Sequence, residues 1–128
     1  MFQHENCPCG SGKEYSACCE IIHNDIKNAT SAEQLMRARY SAFVKHNINF
    51  IYNTFHTSTR RFQNKKDIEN WAKENKWMQL EIIKSTANTV EFKAHYLDSE
   101  MNVYIHHEKS IFKQIQQTWY YTDGKILS

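Results

Sequence analysis

The sequence has 128 residues, a formal charge of +2, 41% hydrophobic residues and 23% charged residues, and only three glycines and one proline. A chain of this length forms one domain with at most a small appendage, and its composition is that of an ordinary globular protein. No apolar stretch approaches the ~20 residues of a transmembrane helix and the start lacks a signal-peptide pattern, so we expect a cytoplasmic protein with no membrane partner. The weak charge, without long Lys or Arg runs, argues against nucleic-acid binding.

All the cysteines lie in the stretch CPCGSGKEYSACC, at Cys7, Cys9, Cys18 and Cys19. Pairs this close along the chain make strained disulfides, although crossed pairing such as Cys7 with Cys18 stays open geometrically. Disulfides rarely persist in a reducing compartment. Four thiolates match one tetrahedral ion, so the pattern predicts a structural metal site with no open position. Zn²⁺ is the first candidate, and iron is less favoured.

The residues between the cysteine pairs indicate how this segment folds. Gly10 and Gly12 can adopt positive φ angles, which a compact turn requires. Residues 14–17 predict a short helical turn that brings the second pair to the metal. His4 and His23 are the alternatives for one sulfur ligand.

This stretch resembles the SEC-C metal-binding motif, which is found at the carboxyl end of the SecA translocation ATPase and in many other bacterial proteins. The resemblance implies that the four cysteines ligate zinc. It also implies that the motif docks on a protein partner in translocation, chaperone or ribosome-associated work, through Lys13, Glu14 and Tyr15. We therefore predict a zinc knuckle over residues 1–22, called the knuckle below.

Helical periodicity begins after residues 23–30, which are polar and are predicted to form a linker. Ser31 and Gln34 have the spacing of a capping box, and apolar residues then continue at helical spacing. This pattern predicts a helix over residues 32–45. Two shorter helices are predicted over residues 47–55 and 65–75.

The apolar period changes to two after Trp77, as in Met78, Leu80 and Ile82. The predicted strands span residues 78–82, 90–96, 103–115 and 118–122. Turn residues between them suit antiparallel hairpins. Three helices followed by four antiparallel strands predict an α+β domain over residues 31–128, with the helices on one face of the sheet.

Arg39 lies in the middle of the apolar arc of the first long helix. A guanidinium directed at a core has to meet a carboxylate, carbonyl groups or a bound anion. We expect an internal ion pair with Glu108 if that face of the third strand is buried, and with Asp123 or the backbone if it is not. The alternative is an anion-binding group at the bottom of a pocket.

The candidate pocket combines this helix with the face of the third strand that carries Glu108. Its predicted residues are Arg39, Tyr40, His56, Trp77, His106, Glu108 and Ser110. The sequence contains no nucleophile elbow, phosphate loop or H-E-x-x-H pattern, so no catalytic residue is predicted and enzymatic activity is left open.

Four segments resemble the YchJ family of bacterial proteins, and the resemblance covers nearly the whole chain. They are LMRARYSAFV (35–44), TFH (54–56), HEKSIF (107–112) and WYYTDG (119–124). The resemblance implies a cone of the nuclear-transport-factor-like (NTF2-like, SnoaL-like) type, in which a bent sheet wraps a long first helix and leaves a cavity. Members often carry a second SEC-C motif at the carboxyl end, which this sequence lacks.

The predicted function is that of a zinc-binding adaptor, which docks on a protein partner through the knuckle. The alternative is a cone that binds or turns over a small molecule in a pocket around Arg39 and Glu108. A homodimer that forms through the sheet is a further expectation.

Overall fold

The computed structural model describes residues 5–127 and shows helices packed on one face of an antiparallel sheet. The helices are α1 (Cys19–Asn24), α2 (Ala32–Lys45), α3 (Ile48–Asn53), α4 (Thr57–Arg60) and α5 (Lys65–Glu74). The strands are β1 (Lys76–Ser85), β2 (Thr89–Leu97), β3 (Val103–Ile115) and β4 (Thr118–Ile126). They pair in the order β1-β2-β3-β4, which confirms the predicted α+β class.

Local sequence signals define α2 as predicted. The Gln34 amide donates to Ser31 Oγ at 3.1 Å, and Gln34 Oε1 accepts from the Thr30 amide at 2.9 Å, so two free amides at the helix start are satisfied. The helix ends at His46, whose φ of 58° is left-handed. The predicted helices over 47–55 and 65–75 are also present as α3 and α5, whereas the short α1 and α4 were not predicted.

The side-chain alternation of β3 is as predicted for a half-buried strand. Glu108, Ser110 and Phe112 are buried and face the helices, while Ile105 and Ile111 are exposed on the other face. The face that carries Glu108 therefore lies inside the fold. The outer face of the sheet, where we predicted a homodimer, is open in the monomer, and the homodimer stays a prediction.

Two of the three register shifts in the sheet correct the strand predictions. The register of β1 against β2 shifts between Trp77 and Gln79, and this turns Met78 outward, where its side chain is 55% exposed. A second shift, in the pairing of β3 with β4, places Thr122 as an extra residue in β4. The last strand then continues past residue 122 to Ile126 rather than ending before Asp123.

Residues 23–30, which were predicted to form a linker, contain regular structure. His23 and Asn24 complete α1, residues 26–28 form a 3-10 helix, and the Ala29 side chain is buried. Cysteine side chains of the knuckle belong to the same buried cluster as Leu35 on α2. The knuckle is thus packed onto the helical layer. The division of the chain into units at residues 22 and 31 stays a prediction.

None of the helices within residues 5–127 is long and apolar enough to span a membrane.

Candidate functional site

The cysteine side chains of the knuckle meet at one point. The Sγ atoms of Cys7, Cys9, Cys18 and Cys19 all lie within 4.8 Å of one another, and none of the four is in a disulfide. Cys7, Cys9 and Cys19 are buried, and Cys18 is half-buried. Gly10 and Gly12, with φ angles of 79° and 85°, turn the chain between the two pairs as predicted.

The sulfur geometry fits a tetrahedral metal ion. Metal–sulfur bonds of about 2.3 Å place tetrahedral ligands about 3.8 Å apart, and the Sγ atoms of Cys9 and Cys18 are 3.7 Å apart. Hydrogen bonds from Cys19 and Cys9 lower the pKa of Cys7. The same bond between Cys19 and Cys7 raises the pKa of Cys19. A divalent cation would stabilise all four side chains as thiolates.

Polar contacts around the cluster attach it to α2. Ser41 Oγ lies 3.5 Å from Cys7 Sγ, and Ser11 Oγ lies 3.3 Å from Cys18 Sγ. The Arg37 guanidinium donates to the carbonyl oxygen of Cys9 at 2.7 Å. Such contacts to the ligand residues fix their orientation before a metal binds.

The predicted alternative ligand His23 is held away from this role. Its Nε2 donates to the Ala38 carbonyl at 2.7 Å, and its Nδ1 accepts from the Tyr15 hydroxyl at 2.6 Å. Burial lowers the pKa of His23, which keeps the ring neutral. The other alternative, His4, lies outside the described residues.

The residues predicted to contact a partner do not all face outward. Lys13 and Glu14 are exposed, but Tyr15 is half-buried between His23 and α2, and the Lys45 ammonium lies 4.4 Å from its ring centroid. Burial raises the pKa of Tyr15 to about 12, so its hydroxyl stays a donor. Tyr15 therefore packs between the knuckle and α2. The predicted contact surface included it because the prediction treated the knuckle as a separate unit.

A cavity of about 340 Å³ lies between α2 and the inner face of the sheet. Six of the seven predicted pocket residues line it: Arg39, Tyr40, Trp77, His106, Glu108 and Ser110. His56 is not among them. It caps α4 by accepting from the Ser58 amide at 3.1 Å, so its predicted place in the pocket was wrong.

Arg39 lies at the floor of this cavity and does not form the expected ion pair. Its Nη1 donates to the Ile51 carbonyl at 2.9 Å and to Thr54 Oγ1 at 2.6 Å, at the end of α3. The guanidinium carbon lies 4.4 Å from the centroid of the Phe55 ring and 4.6 Å from that of Tyr121. Burial lowers the pKa of Arg39 to about 10, so the group keeps its proton at neutral pH.

Glu108 is engaged by three other donors. His106 Nε2 donates to Oε1 at 2.8 Å, while Ser110 Oγ and the Tyr121 hydroxyl donate to Oε2 at 2.5 Å and 2.8 Å. Burial alone would raise the pKa of Glu108, but these hydrogen bonds outweigh it and the pKa is lowered. The carboxylate is thus ionised and satisfied without Arg39. The Tyr121 ring contacts both charged groups.

Sequence reasoning missed two residues of this site. Tyr121 follows two other aromatic residues, Trp119 and Tyr120, and the sequence does not show which of the three faces inward. Gly124 was placed beyond the end of the last predicted strand, but it lies in β4 against Glu108, where a Cβ atom would collide with Glu108 Oε2 and the Tyr121 hydroxyl. No local signal in the sequence identifies either role.

Aromatic side chains form the opposite wall of the cavity. The Trp77 ring lies 5.4 Å from Phe43 and 5.6 Å from Trp71, centroid to centroid, and it meets Tyr40 edge-on at 6.4 Å. Tyr40 is buried, which raises its pKa to about 12. The cavity therefore has a charged floor and an aromatic wall, the composition of a small-molecule site.

Comparison with known sequences supports these observations. The family model described as "YchJ, middle NTF2-like domain" matches residues 31–124, and the model of the SEC-C motif matches residues 5–21. The chain belongs to the YchJ family. Two relatives are the UPF0225 protein GSU1048 of Geobacter sulfurreducens, 37% identical over 92% of this chain and 77% of its own length, and the UPF0225 protein VV1358 of Vibrio vulnificus, 39% identical over 93% and 74%.

Solved structures give the same fold for this YchJ-family chain. The solution structure of a SEC-C motif containing protein from Rhodopseudomonas palustris superimposes with a TM-score of 0.88 at 30% identity, over 97% of this chain and all of that one. The crystal structure of a SEC-C motif containing protein from Psychrobacter arcticus gives 0.74 at 29% identity, over 95% and 82%. The predicted family and NTF2-like architecture are thereby confirmed.

Proposed function

We propose that this YchJ-family protein binds a small molecule in the cavity between α2 and the sheet, and that its knuckle holds a structural zinc ion. The observation that carries the proposal is Arg39. Its guanidinium is buried at the floor of an open cavity, and its hydrogen bonds to the described residues come from Nη1 only. A buried cation with unused donors is costly unless a ligand completes its contacts.

Zinc is the metal that best suits the knuckle. A set of four thiolates with three of them buried leaves no position for a substrate, which is the pattern of a structural site. Close thiols of this kind persist in a reducing compartment, which supports the expected cytoplasmic location. Elemental analysis of freshly purified protein should give one zinc per chain, and the Cys18→Ser, Cys19→Ser variant should give none. Stoichiometric iron, or no metal in an ordered knuckle, would overturn this assignment.

The contacts of Glu108 favour binding over acid–base catalysis. A general acid or base needs a pKa near the working pH, yet the pKa of Glu108 is lowered and three donors occupy its oxygens. His106 Nε2 donates to the same carboxylate, so this nitrogen is not free to act on a ligand. The charged floor is therefore suited to orient a ligand, with Glu108 fixing His106 and Tyr121 in place.

A fragment screen tests the binding function. Trp71 and Trp77 line the cavity, so their fluorescence and side-chain NH signals report on occupancy. We expect fragments to shift these signals in wild type, and not in Ala94→Phe, which fills the cavity. Ala87→Phe adds the same group in an exposed hairpin turn and is the matched control. If Ala94→Phe does not fold, Gln63→Trp at the cavity lining replaces it. The absence of cavity-specific binding by any fragment at millimolar concentration would refute the proposal.

The knuckle also has a surface suited to a second function, docking on a protein partner. Ile21 is 46% exposed on α1, beside a groove of about 430 Å³ between the knuckle and α2. We expect Ile21→Asp to abolish capture of a partner from cell extract while metal content is unchanged. Ile83→Asp, at an exposed position of β1, is the control. A point variant is needed, because deleting the knuckle would expose the core. Identical captured proteins for both variants would refute this function.

A further inference from the structure

The unused edge of Arg39 indicates what kind of ligand the cavity takes. The side chain is only 6% exposed, and Nη1 is committed to Ile51 and Thr54. Neither Nε nor Nη2 has a hydrogen-bond partner in residues 5–127, and neither nitrogen is sealed from solvent. Because Arg39 lines the cavity, this edge is available to a molecule inside it.

The geometry of that edge matches a carboxylate. Nε and Nη2 present two parallel N–H groups, which is the arrangement that binds both oxygens of a carboxylate. The rings of Phe55 and Tyr121 lie 4.4 Å and 4.6 Å from the guanidinium carbon, and their own centroids are only 5.3 Å apart, so both lie to one side of the group. A carboxylate can place one oxygen on each of these two N–H groups.

The charge of the floor limits the ligand to one negative charge. Glu108 makes no ion pair with Arg39 within 4.0 Å, so its carboxylate does not occupy the Nε and Nη2 edge of the guanidinium. Glu108 remains ionised inside the same cavity, however, and would repel a dianion.

The remainder of the cavity determines the body of the ligand. Trp77, Phe43 and Trp71 give an aromatic wall, and the volume of about 340 Å³ lies at the small end of ligand pockets. The buried Tyr40 hydroxyl also has no hydrogen-bond partner in the part of the chain that the structure describes, and it is not sealed from solvent. Buried tyrosine hydroxyls usually have a partner, which a polar atom of the ligand would provide.

We propose that the cavity binds a small aromatic monocarboxylic acid, whose carboxylate lies on the Nε and Nη2 edge of Arg39 and whose ring packs against Trp77. This inference rests on the proposed binding function and specifies its ligand class. Arg39 selects the acid, and the aromatic wall selects a flat apolar body.

Three probes of nearly the same shape test the class by calorimetry: 1-naphthoate, its neutral amide 1-naphthamide, and the cation 1-naphthylmethylamine. Inorganic phosphate is added as a fourth probe. We expect the naphthoate to bind at least about tenfold more tightly than the amide, because a charge-assisted bidentate pair is lost. The amine and phosphate should bind most weakly. The Arg39 Nε–H signal should shift in NMR spectra with naphthoate only.

Variants assign the selectivity to Arg39. Arg39→Lys keeps the charge but loses the bidentate edge, so it should reduce the preference for naphthoate over naphthamide to about twofold. Tyr40→Phe, a smaller change that preserves the fold, should weaken naphthoate severalfold. Arg61→Gln, at an exposed position, should leave all affinities unchanged.

The outcomes separate this inference from the binding function. If the amide binds as tightly as the acid, or Arg39→Lys retains the full preference, the ligand class is wrong while the cavity remains a binding site. If none of the probes and no fragment binds, both proposals fail. Naphthoate binding that persists in the filled Ala94→Phe cavity would place the acid elsewhere and overturn the inference.

Discussion

Gly124 lies where the inner face of β4 meets the charged floor, and we predict that Gly124→Ala destabilises the fold. A Cβ atom at this position would lie inside the contact distance of Glu108 Oε2 and the Tyr121 hydroxyl, and 2.7 Å from Glu108 Cδ. Elsewhere in a strand the same substitution is neutral or stabilising by about 0.5–1 kcal/mol, because alanine has less backbone freedom to lose. The sign of the effect is therefore informative.

The magnitude follows from the contacts that must move. Displacing Glu108 or Tyr121 breaks their 2.8 Å hydrogen bond, which involves a charged group and is worth about 1.5–3 kcal/mol. Overpacking of a buried site adds about 1–3 kcal/mol, and part of both costs is recovered as the side chains relax into the cavity. We expect the free energy of unfolding to fall by about 2–4 kcal/mol, a large share of the total for a domain of this size.

Urea unfolding followed by tryptophan fluorescence, with metal retained, measures the effect of Gly124→Ala. The same substitution in a Glu108→Ala, Tyr121→Phe background is the control, because the atoms that collide are then absent. The cost should drop to about 0.5 kcal/mol or less, which gives a coupling of at least 1.5 kcal/mol. A loss below 0.5 kcal/mol in the wild-type background, or an equal loss in both backgrounds, would refute the reasoning.

Three other predictions concern the knuckle and its contact with α2. Cys9→Ser should lose the metal and should lower the melting temperature measured by scanning calorimetry, since Cys9 is fully buried in the common core. The control Ser11→Ala should retain one metal per chain. Equal melting temperatures for the two variants would contradict this prediction. Below about pH 6.5 His23 is protonated in the unfolded chain, but in the native protein burial lowers its pKa and it stays neutral. The unfolded state therefore binds more protons, and as the pH is lowered from 7.5 to 5.5 the free energy of unfolding should fall by up to about 1.4 kcal/mol per pH unit. The His23→Gln variant should show a shallower slope in urea titrations, and an identical slope would show that other groups cause it. Arg37→Gln removes the 2.7 Å hydrogen bond to the Cys9 carbonyl, so it should speed amide hydrogen exchange in the knuckle more than in the sheet. An equal increase in the exchange rate of both regions would count against a role for this contact.

Signals that act over a few residues predicted much of this fold. The capping pair Ser31 and Gln34 defined the start of α2, and alternation along β3 placed Glu108 on one face. The cysteine spacing predicted the cluster, because ligands this close in sequence can meet without help from the rest of the chain. Each of these features depends on contacts within one element or between neighbours.

Features that depend on distant elements were not predictable in the same way. Met78 faces outward because a shift in its pairing with β2 turns it, and a sequence pattern of period two cannot show such a shift. The expected pair of Arg39 and Glu108 did not form because each group has other partners from distant elements: Arg39 donates to Ile51 and Thr54 at the end of α3, and Glu108 accepts from Tyr121 of β4. Charge complementarity indicated which residues lie near each other but not what separates them.

Helix α2 links the cysteine cluster to the cavity, because it contacts both. Arg37 and Ser41, four residues apart, contact the cysteine residues on one face. Arg39, which lies on the opposite face of the helix, and the neighbouring Tyr40 line the cavity. The knuckle therefore supports the same helix that carries the ligand-binding groups, and a metal bound there reduces the freedom of α2 to move away from the sheet. With the proposed zinc ion and ligand bound, the metal would contribute to ligand affinity without contact with the ligand, by keeping the edge of Arg39 at a fixed distance from the aromatic wall.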